Sequence, residues 1–217
     1  MRRLGLLPLS LLLLALAGFR GTVPLLYSSP EEGISSVLIG CRVTLPTGET
    51  PTGSLALNLE GVKNTETYRL PIEPRRALLY QVEPGLYRLG PTRSIFGFHQ
   101  DLLKVSVAGH SYKVPFPRDI LRKEAIEVKP TRIVALGVVN VELLDHLPGR
   151  PATVRVWLDD SLQTRRGLVQ AEIHAMMDPN AAAEERSAAL AWTRALDEAL
   201  SDLLTEAERR APFRAVP

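Results

Sequence analysis

The apolar and polar positions of the chain follow three patterns from its N-terminus to its C-terminus. Residues 4–19 carry no charge and are mostly leucine, directly after Arg2 and Arg3. From residue 34 to residue 143, short apolar segments alternate with clusters of proline and glycine. Further on, in residues 162–210, apolar side chains recur every three or four positions. These patterns predict an N-terminal apolar segment, a series of β-strands and a pair of C-terminal helices.

The strand-like region divides into short segments rich in valine, isoleucine, leucine and tyrosine. Residues 55–59 show the alternation of a strand with one buried face, because leucine occupies every second position. The predicted strands are Ser35–Thr44, Ser54–Glu60, Tyr68–Glu73, Ala77–Glu83, Leu86–Leu89, Leu103–Val107, Ser111–Pro115, Ala125–Val128, Ile133–Leu143 and Thr153–Leu158. Many short strands without helices between them predict a sandwich of antiparallel sheets.

The C-terminal region predicts a helical hairpin. Asp159, Asp160 and Ser161 supply N-cap chemistry and an acidic start for a helix of about four turns. Residues 178–180 (Asp-Pro-Asn) interrupt the helical pattern, and a second helix is predicted over Ala181–Arg210. Because the connection between the two helices is short, we expect them to be antiparallel.

The second helix carries an apolar stripe with two interpretations. Its largest members are Trp192, Leu196, Leu200 and Leu203. The favoured interpretation is packing on the chain's own sandwich or on the other helix of the hairpin. The alternative is an interaction surface for another protein or for a second copy of the chain.

The segment Val82–Leu89 contains a proline-glycine turn followed by a tyrosine strand. This segment resembles the corresponding hairpin of carboxypeptidase regulatory-like (transthyretin-like) β-sandwich domains of bacterial cell-envelope proteins. The resemblance extends over residues 34–107, and residues 133–141 are similar to the closing strand of envelope lipoproteins built on such sandwiches. It implies an antiparallel sandwich of transthyretin or Ig type, and it transfers no catalytic residue.

The N-terminal segment has the order of a secretory signal, with a basic start, an apolar run and small residues at Ala15 and Ala17. The predicted location is therefore the periplasm or a membrane-tethered position in a bacterial cell envelope. Cleavage, lipidation and retention all stay open. Phe19 stands where a lipoprotein has cysteine, and Cys41 has no apolar run before it, so a buried thiol in a strand is the favoured interpretation of Cys41.

These patterns give four predicted regions. Residues 1–20 are a signal peptide or N-terminal anchor, 21–33 a linker, 34–145 the β-sandwich domain, and 146–217 a strand followed by the helical hairpin.

The distribution of charge adds one candidate surface. Without Arg2 and Arg3, the 26 basic residues fall to 24 and equal the 24 acidic ones, so net charge gives no support for binding nucleic acid. Basic residues nevertheless predominate in the sandwich, and acidic residues predominate in 178–210. Mutual attraction of the two regions is the favoured interpretation, and contact with anionic headgroups or envelope polyanions is the alternative. The candidate polyanion-contacting residues are Lys113, Arg118, Arg122, Lys123, Lys129 and Arg132.

Catalytic chemistry has no recognisable motif in the sequence. The four histidines, His99, His110, His146 and His174, do not have the spacing of metal ligands, and one cysteine permits no internal disulfide. No phosphate-binding loop or nucleophile elbow is present. We therefore expect no catalytic, cofactor-binding or metal site. The sequence predicts a non-catalytic structural or protein-interaction role with other envelope proteins, and a periplasmic small-ligand or polysaccharide-binding domain is the alternative. The oligomeric state stays open.

Overall fold

The architecture was obtained as a computed structural model. It describes residues 20–21, 35–46, 53–74, 77–90, 102–107, 110–115, 117, 120, 125–145, 153–177 and 183–210. The predicted signal and the predicted linker lie outside these ranges, apart from Arg20 and Gly21. Those two residues form a short strand.

Two sheets and two helices make up the described part of the chain. The strands are β1 (Arg20–Gly21), β2 (Ser35–Thr44), β3 (Gly53–Gly61), β4 (Thr67–Ile72), β5 (Leu78–Val82), β6 (Gly85–Gly90), β7 (Leu102–Val107), β8 (His110–Pro115), β9 (Ile126–Val128), β10 (Ile133–Leu143) and β11 (Val154–Asp159). The helices are α1 (Leu162–Met176) and α2 (Ala183–Arg210). All ten predicted strands and both predicted helices are present within a few residues of their expected ends.

The larger sheet has the order β1-β4-β3-β6-β9, with β7 pairing to the start of β3 and β8 pairing to β7. The smaller sheet has the order β11-β10-β2-β5. Most pairs are antiparallel, as the sequence predicts, but the pairs of β2 with β10 and of β1 with β4 are parallel. Parallel strands need a crossover connection, and for β2 and β10 most of the strands of this connection belong to the larger sheet. The predicted antiparallel pairing is therefore wrong for these two pairs, at the centre of the smaller sheet and at one edge of the larger sheet.

The predicted proline-glycine hairpin is a crossing between the two sheets. β5 pairs with β2 in the smaller sheet, and β6 pairs with β3 in the larger one. The Tyr87 hydroxyl donates to the Glu83 carbonyl oxygen at 2.7 Å. This hydrogen bond links β6 to the turn that precedes it. A Cβ on Gly85 would lie 3.2 Å from the Tyr87 ring, so this close approach favours glycine.

Two apolar cores lie on opposite faces of the smaller sheet. The first fills the space between the two sheets, and the second lies between the smaller sheet and the helices. A β-bulge in β10 between Ala135 and Gly137 adds one residue, Leu136. Before the bulge, Ile133 and Ala135 face the helices, and after it Val138 does. The extra residue therefore changes which side chains of β10 face each core.

The helices are antiparallel, because Arg165 near the start of α1 pairs with Glu206 near the end of α2. The predicted N-cap is confirmed at Ser161, whose hydroxyl accepts the Thr164 N–H at 3.2 Å. The Thr164 hydroxyl and the Ser161 N–H both donate to the Asp159 carboxylate, and these hydrogen bonds hold its pKa below the ordinary value.

A candidate binding cleft at two open strand edges

The smaller sheet has an open edge beside the bulge. β11 pairs with β10 only from Val138 onward, where Asp159 is its last partner, and the chain then turns into α1. Ile133, Val134 and Ala135 therefore pair with β2 on one side, and residues 133–136 have no described strand on the other side. The bulge marks the point where the open edge begins.

The backbone groups at this edge follow from one hydrogen bond. The Ser36 N–H donates to the Arg132 carbonyl oxygen at 3.1 Å. In a parallel pair, alternate residues direct both of their backbone groups to the same neighbouring strand. Arg132 and Val134 thus face β2, so the N–H and C=O groups of Ile133 and Ala135 face the open edge.

The larger sheet has an open edge directly opposite. β9 pairs with β6 through Ile126 to Val128, and no described strand pairs with its other side. Three consecutive residues, Ala125, Ile126 and Glu127, line the space between this edge and β10. Because side chains of a strand alternate between its faces, three consecutive lining residues indicate that the space meets the strand at its edge.

The space between the two edges is a cleft of about 580 Å³, and a second space of about 500 Å³ lies beside it toward the C-terminal part of α2. Both spaces are lined by Glu127, Val134, Ala135, Arg165 and Glu206. The floor of the first is apolar and consists of the edge of the inter-sheet core. Its members are Leu89, Ile126, Val134, Leu136 and Leu158.

A pair of charged side chains from the helices lines both spaces. Both Nη atoms of Arg165 donate to the Glu206 carboxylate, each at 3.2 Å. The Arg165 side chain is 17% exposed and that of Glu206 is 33% exposed. The Arg165 Nε is buried and finds no hydrogen-bond acceptor among the described residues. A buried donor without an acceptor destabilises the fold, typically by about 1–3 kcal/mol.

The rim charges near the cleft are also paired. The Arg132 guanidinium donates to Glu198 at 2.7 Å and lies 3.8 Å from Asp202. Lys129 lies 3.9 Å from Glu127. Within each of these pairs at the rim the opposite charges neutralise one another.

Two of the six predicted polyanion-contacting residues belong to this rim. Lys129 and Arg132 line the second space and pair with acidic side chains of the same chain. Arg132 pairs with acidic side chains of α2. This contact is an instance of the attraction between sandwich and helical hairpin that the charge distribution favours. Lys113 lies in β8, where its side chain is not described, and Arg118, Arg122 and Lys123 lie outside the described residues.

The apolar stripe of α2 faces the chain's own sheet. Trp192, Leu196 and Leu203 are buried in the core between the helices and the smaller sheet, and Leu200 packs against that core. The arrangement is the internal packing that the sequence favours. In this arrangement Trp192, Leu196 and Leu203 are removed from solvent by Leu38, Ala135 and their neighbours.

The described residues contain no group of three metal-ligating side chains, His174 bonds the Gln170 carbonyl, and His110 lies in β8. His99 and His146 lie outside the described residues. Cys41 is buried in β2, and this burial raises the pKa of its thiol to about 12. A thiol of this kind is a poor nucleophile at neutral pH.

Sequence reasoning missed the cleft and the Arg165–Glu206 pair. One signal was available, because Gly137 interrupts an apolar strand pattern, and an isolated glycine in a strand suggests a bulge. The sequence near the two open edges contains no signal for them. Each edge is open because of how far the pairing of β11 with β10 extends and because β9 is the last strand of its sheet.

Comparison of the chain with known protein families, with curated proteins and with solved structures finds no match. Among the described helices, none combines the length and the apolar composition that are needed to cross a membrane.

Proposed function

We propose that this chain is an exported, non-catalytic interaction module of the bacterial cell envelope. The sandwich and the helices act as a rigid scaffold, and the cleft between β9 and β10 receives the partner. The observation that carries the proposal is the cleft itself. It combines an apolar floor, open backbone groups and the partly unsatisfied Arg165 in one place.

Export is supported by the sequence of the N-terminus, where Arg2 and Arg3 precede an uncharged leucine-rich run. The position of Cys41 favours processing near Ala17, or retention of the segment, over lipidation at Cys41. Removing the chain before Cys41 would delete Ser35–Gly40, which pair with both β5 and β10. A chain shortened in this way would lose the centre of its smaller sheet.

We also propose that the sandwich is related to transthyretin-like domains. Its support is the proline-glycine corner at Pro84 and Gly85, followed by the buried Tyr87. Sandwiches of this class carry many unrelated functions, so the fold contributes the scaffold and the cleft contributes the activity.

Site-specific photo-cross-linking in cells tests the proposed function. A photoreactive phenylalanine analogue replaces Lys129, which lies at the rim of the cleft, or Leu144, which is exposed at the opposite end of β10. We expect a discrete adduct with another envelope protein from position 129 and none from position 144. Equal labelling at both positions would contradict a role for the cleft.

Fractionation with an intact-mass measurement tests the location. We expect the protein in the envelope fraction, with an N-terminus near Ala17 or an intact signal held in the membrane. Recovery of the uncleaved protein in the cytoplasm would contradict export.

Binding of a small ligand is the second candidate, because a volume of about 580 Å³ lies within the range of about 300–1,000 Å³ that is typical of ligand pockets. Native mass spectrometry of the purified protein distinguishes binding of a small ligand from binding of another protein. A retained small molecule would appear as extra mass that is lost on denaturation.

A further inference from the structure

We propose that the partner enters the cleft as an extended peptide segment, which adds a strand to the smaller sheet along the open edge of β10. This inference rests on the proposed function and names the chemical class of its partner.

The backbone of β10 provides the first argument. The N–H and C=O groups of Ile133 and Ala135 face the cleft, while those of Val134 face β2. Four open residues, 133–136, extend over about 13 Å at about 3.3 Å per residue. This length accommodates a short strand, and a peptide backbone supplies both the donors and the acceptors that the edge requires.

The two sides of the cleft provide the second argument. A strand beside β10 would direct alternate side chains to opposite faces of the sheet. On one side it would meet the apolar floor, including Leu136 and Leu158, and on the other side the charged pair of Arg165 and Glu206. The cleft therefore fits a segment in which apolar and polar residues alternate.

The Arg165 guanidinium provides the third argument. Both of its Nη atoms are engaged by Glu206, and its buried Nε has no acceptor. Because Glu206 already neutralises its charge, the missing acceptor is better supplied by a neutral oxygen than by an anion. A threonine hydroxyl or another neutral side-chain oxygen on the polar face of the added strand is such an acceptor.

The charges around the cleft agree with a neutral backbone as ligand. Arg132, Lys129 and Arg165 each have an acidic partner in the chain. A phosphate or a polyanion would have to displace these partners, whereas a peptide main chain would leave them in place.

Amide hydrogen exchange of the ¹⁵N-labelled protein tests the proposal. The probes are synthetic, end-blocked octapeptides in which valine, isoleucine, leucine or phenylalanine alternates with threonine. We expect a binding peptide to slow exchange at the Ile133 and Ala135 amides about tenfold. The Val134 amide, which already faces β2, should not change and is the internal control.

Backbone methylation of the same peptides separates main-chain recognition from side-chain recognition. Methyl groups on alternate nitrogens remove the donors along one peptide edge, and we expect this change to weaken binding about tenfold, or about 1.4 kcal/mol. Equal binding of methylated and unmethylated peptides would overturn the added strand.

Arg165→Lys provides a second test, because lysine keeps the positive charge and removes Nε. We expect weaker peptide binding with little change in the folded ¹⁵N spectrum. A failure of the whole peptide panel to protect Ile133 and Ala135 would overturn the inference, as would protection that depends only on protein concentration and so indicates a second copy. Cross-linking from position 129 would then still support the proposed function.

Discussion

At the scale of single residues, two glycines differ in whether their surroundings leave room for a side chain. Gly137 has a φ of 115°, and a Cβ at this position would lie 2.3 Å from the Asp159 carbonyl oxygen. Gly167 lies inside α1, and a Cβ there would meet no atom within 4 Å. The first position combines a left-handed backbone with a backbone neighbour that cannot rotate away.

We expect Gly137→Ala to reduce the free energy of unfolding by more than about 2 kcal/mol, since both strain and a clash oppose the methyl group. Gly167→Ala should increase it by about 0.5–1 kcal/mol, because alanine favours a helix. Urea denaturation of both variants checks the pair. Equal effects would contradict the geometry of the bulge.

Burial of Cys41 predicts a loss of stability at alkaline pH. The folded thiol has its pKa raised by burial from 9.0 to about 12, so the unfolded chain releases this proton at lower pH than the folded one. Above about pH 9 the folded state binds more protons, and stability falls as the pH rises toward about 12. Burial raises the pKa of Tyr87 to about 12 and acts in the same direction.

Urea midpoints measured across this alkaline range check the prediction. Cys41→Ala should make the decline with pH shallower than in the unaltered protein, while the tyrosine contribution persists. An unchanged slope would show that the thiol does not take part.

At the scale of elements, α2 presents two leucines in contrasting positions. Leu196 is fully buried against the smaller sheet, whereas Leu190 is 56% exposed. We expect Leu196→Ala to cost about 2–5 kcal/mol, because it removes core contacts and leaves a cavity. Leu190→Ala should stay within about 0.5 kcal/mol. Chemical denaturation distinguishes this result from a stripe that only contacts another protein, where both substitutions would leave the fold stable.

The two ion pairs that reach α2 also differ in environment. Glu206→Gln leaves the mostly buried Arg165 without its charge partner, and we expect a cost of about 1–3 kcal/mol. Glu198→Gln removes an exposed partner of Arg132, and its effect should be below about 0.5 kcal/mol. Thermal unfolding in low and high salt measures both. A larger loss from Glu198→Gln would contradict the assigned burial.

The elements themselves were predictable from the sequence because each depends on a local pattern. Alternation in residues 55–59 and the three-to-four-residue period of α2 are such patterns, and Ser161 carries its own capping signal. The pairing of elements was not predictable in the same way. The parallel contact of β2 with β10 and the sheet crossing at Pro84 depend on residues far apart in the chain. The cleft depends on those pairings, so the sequence had no direct signal for it.

At the scale of the whole molecule, the smaller sheet is shared by both cores. Val139 belongs to the core between the sheets, and Ala135 belongs to the core under the helices, and both lie on β10. Loss of either core therefore exposes one face of the same sheet. We expect the two layers to unfold together rather than as separate units.

A single-tryptophan variant checks this cooperativity. The chain has two tryptophans, and Trp157→Phe leaves Trp192 as the only one. The fluorescence of Trp192 reports on the core under the helices. The fluorescence transition should coincide in urea with the far-ultraviolet circular dichroism transition. An earlier fluorescence transition would show that the helices separate from the sandwich first.

The parallel contact of β2 with β10 also bears on when the chain can fold. Ser36 must find Ile133, so the centre of the smaller sheet joins residues roughly a hundred positions apart, and such distant pairing slows folding. A ribosome that releases the chain from its N-terminus would deliver β2 long before β10. Neither core can close during that interval, so the emerging chain stays without its final packing until residue 133 and its neighbours have been released.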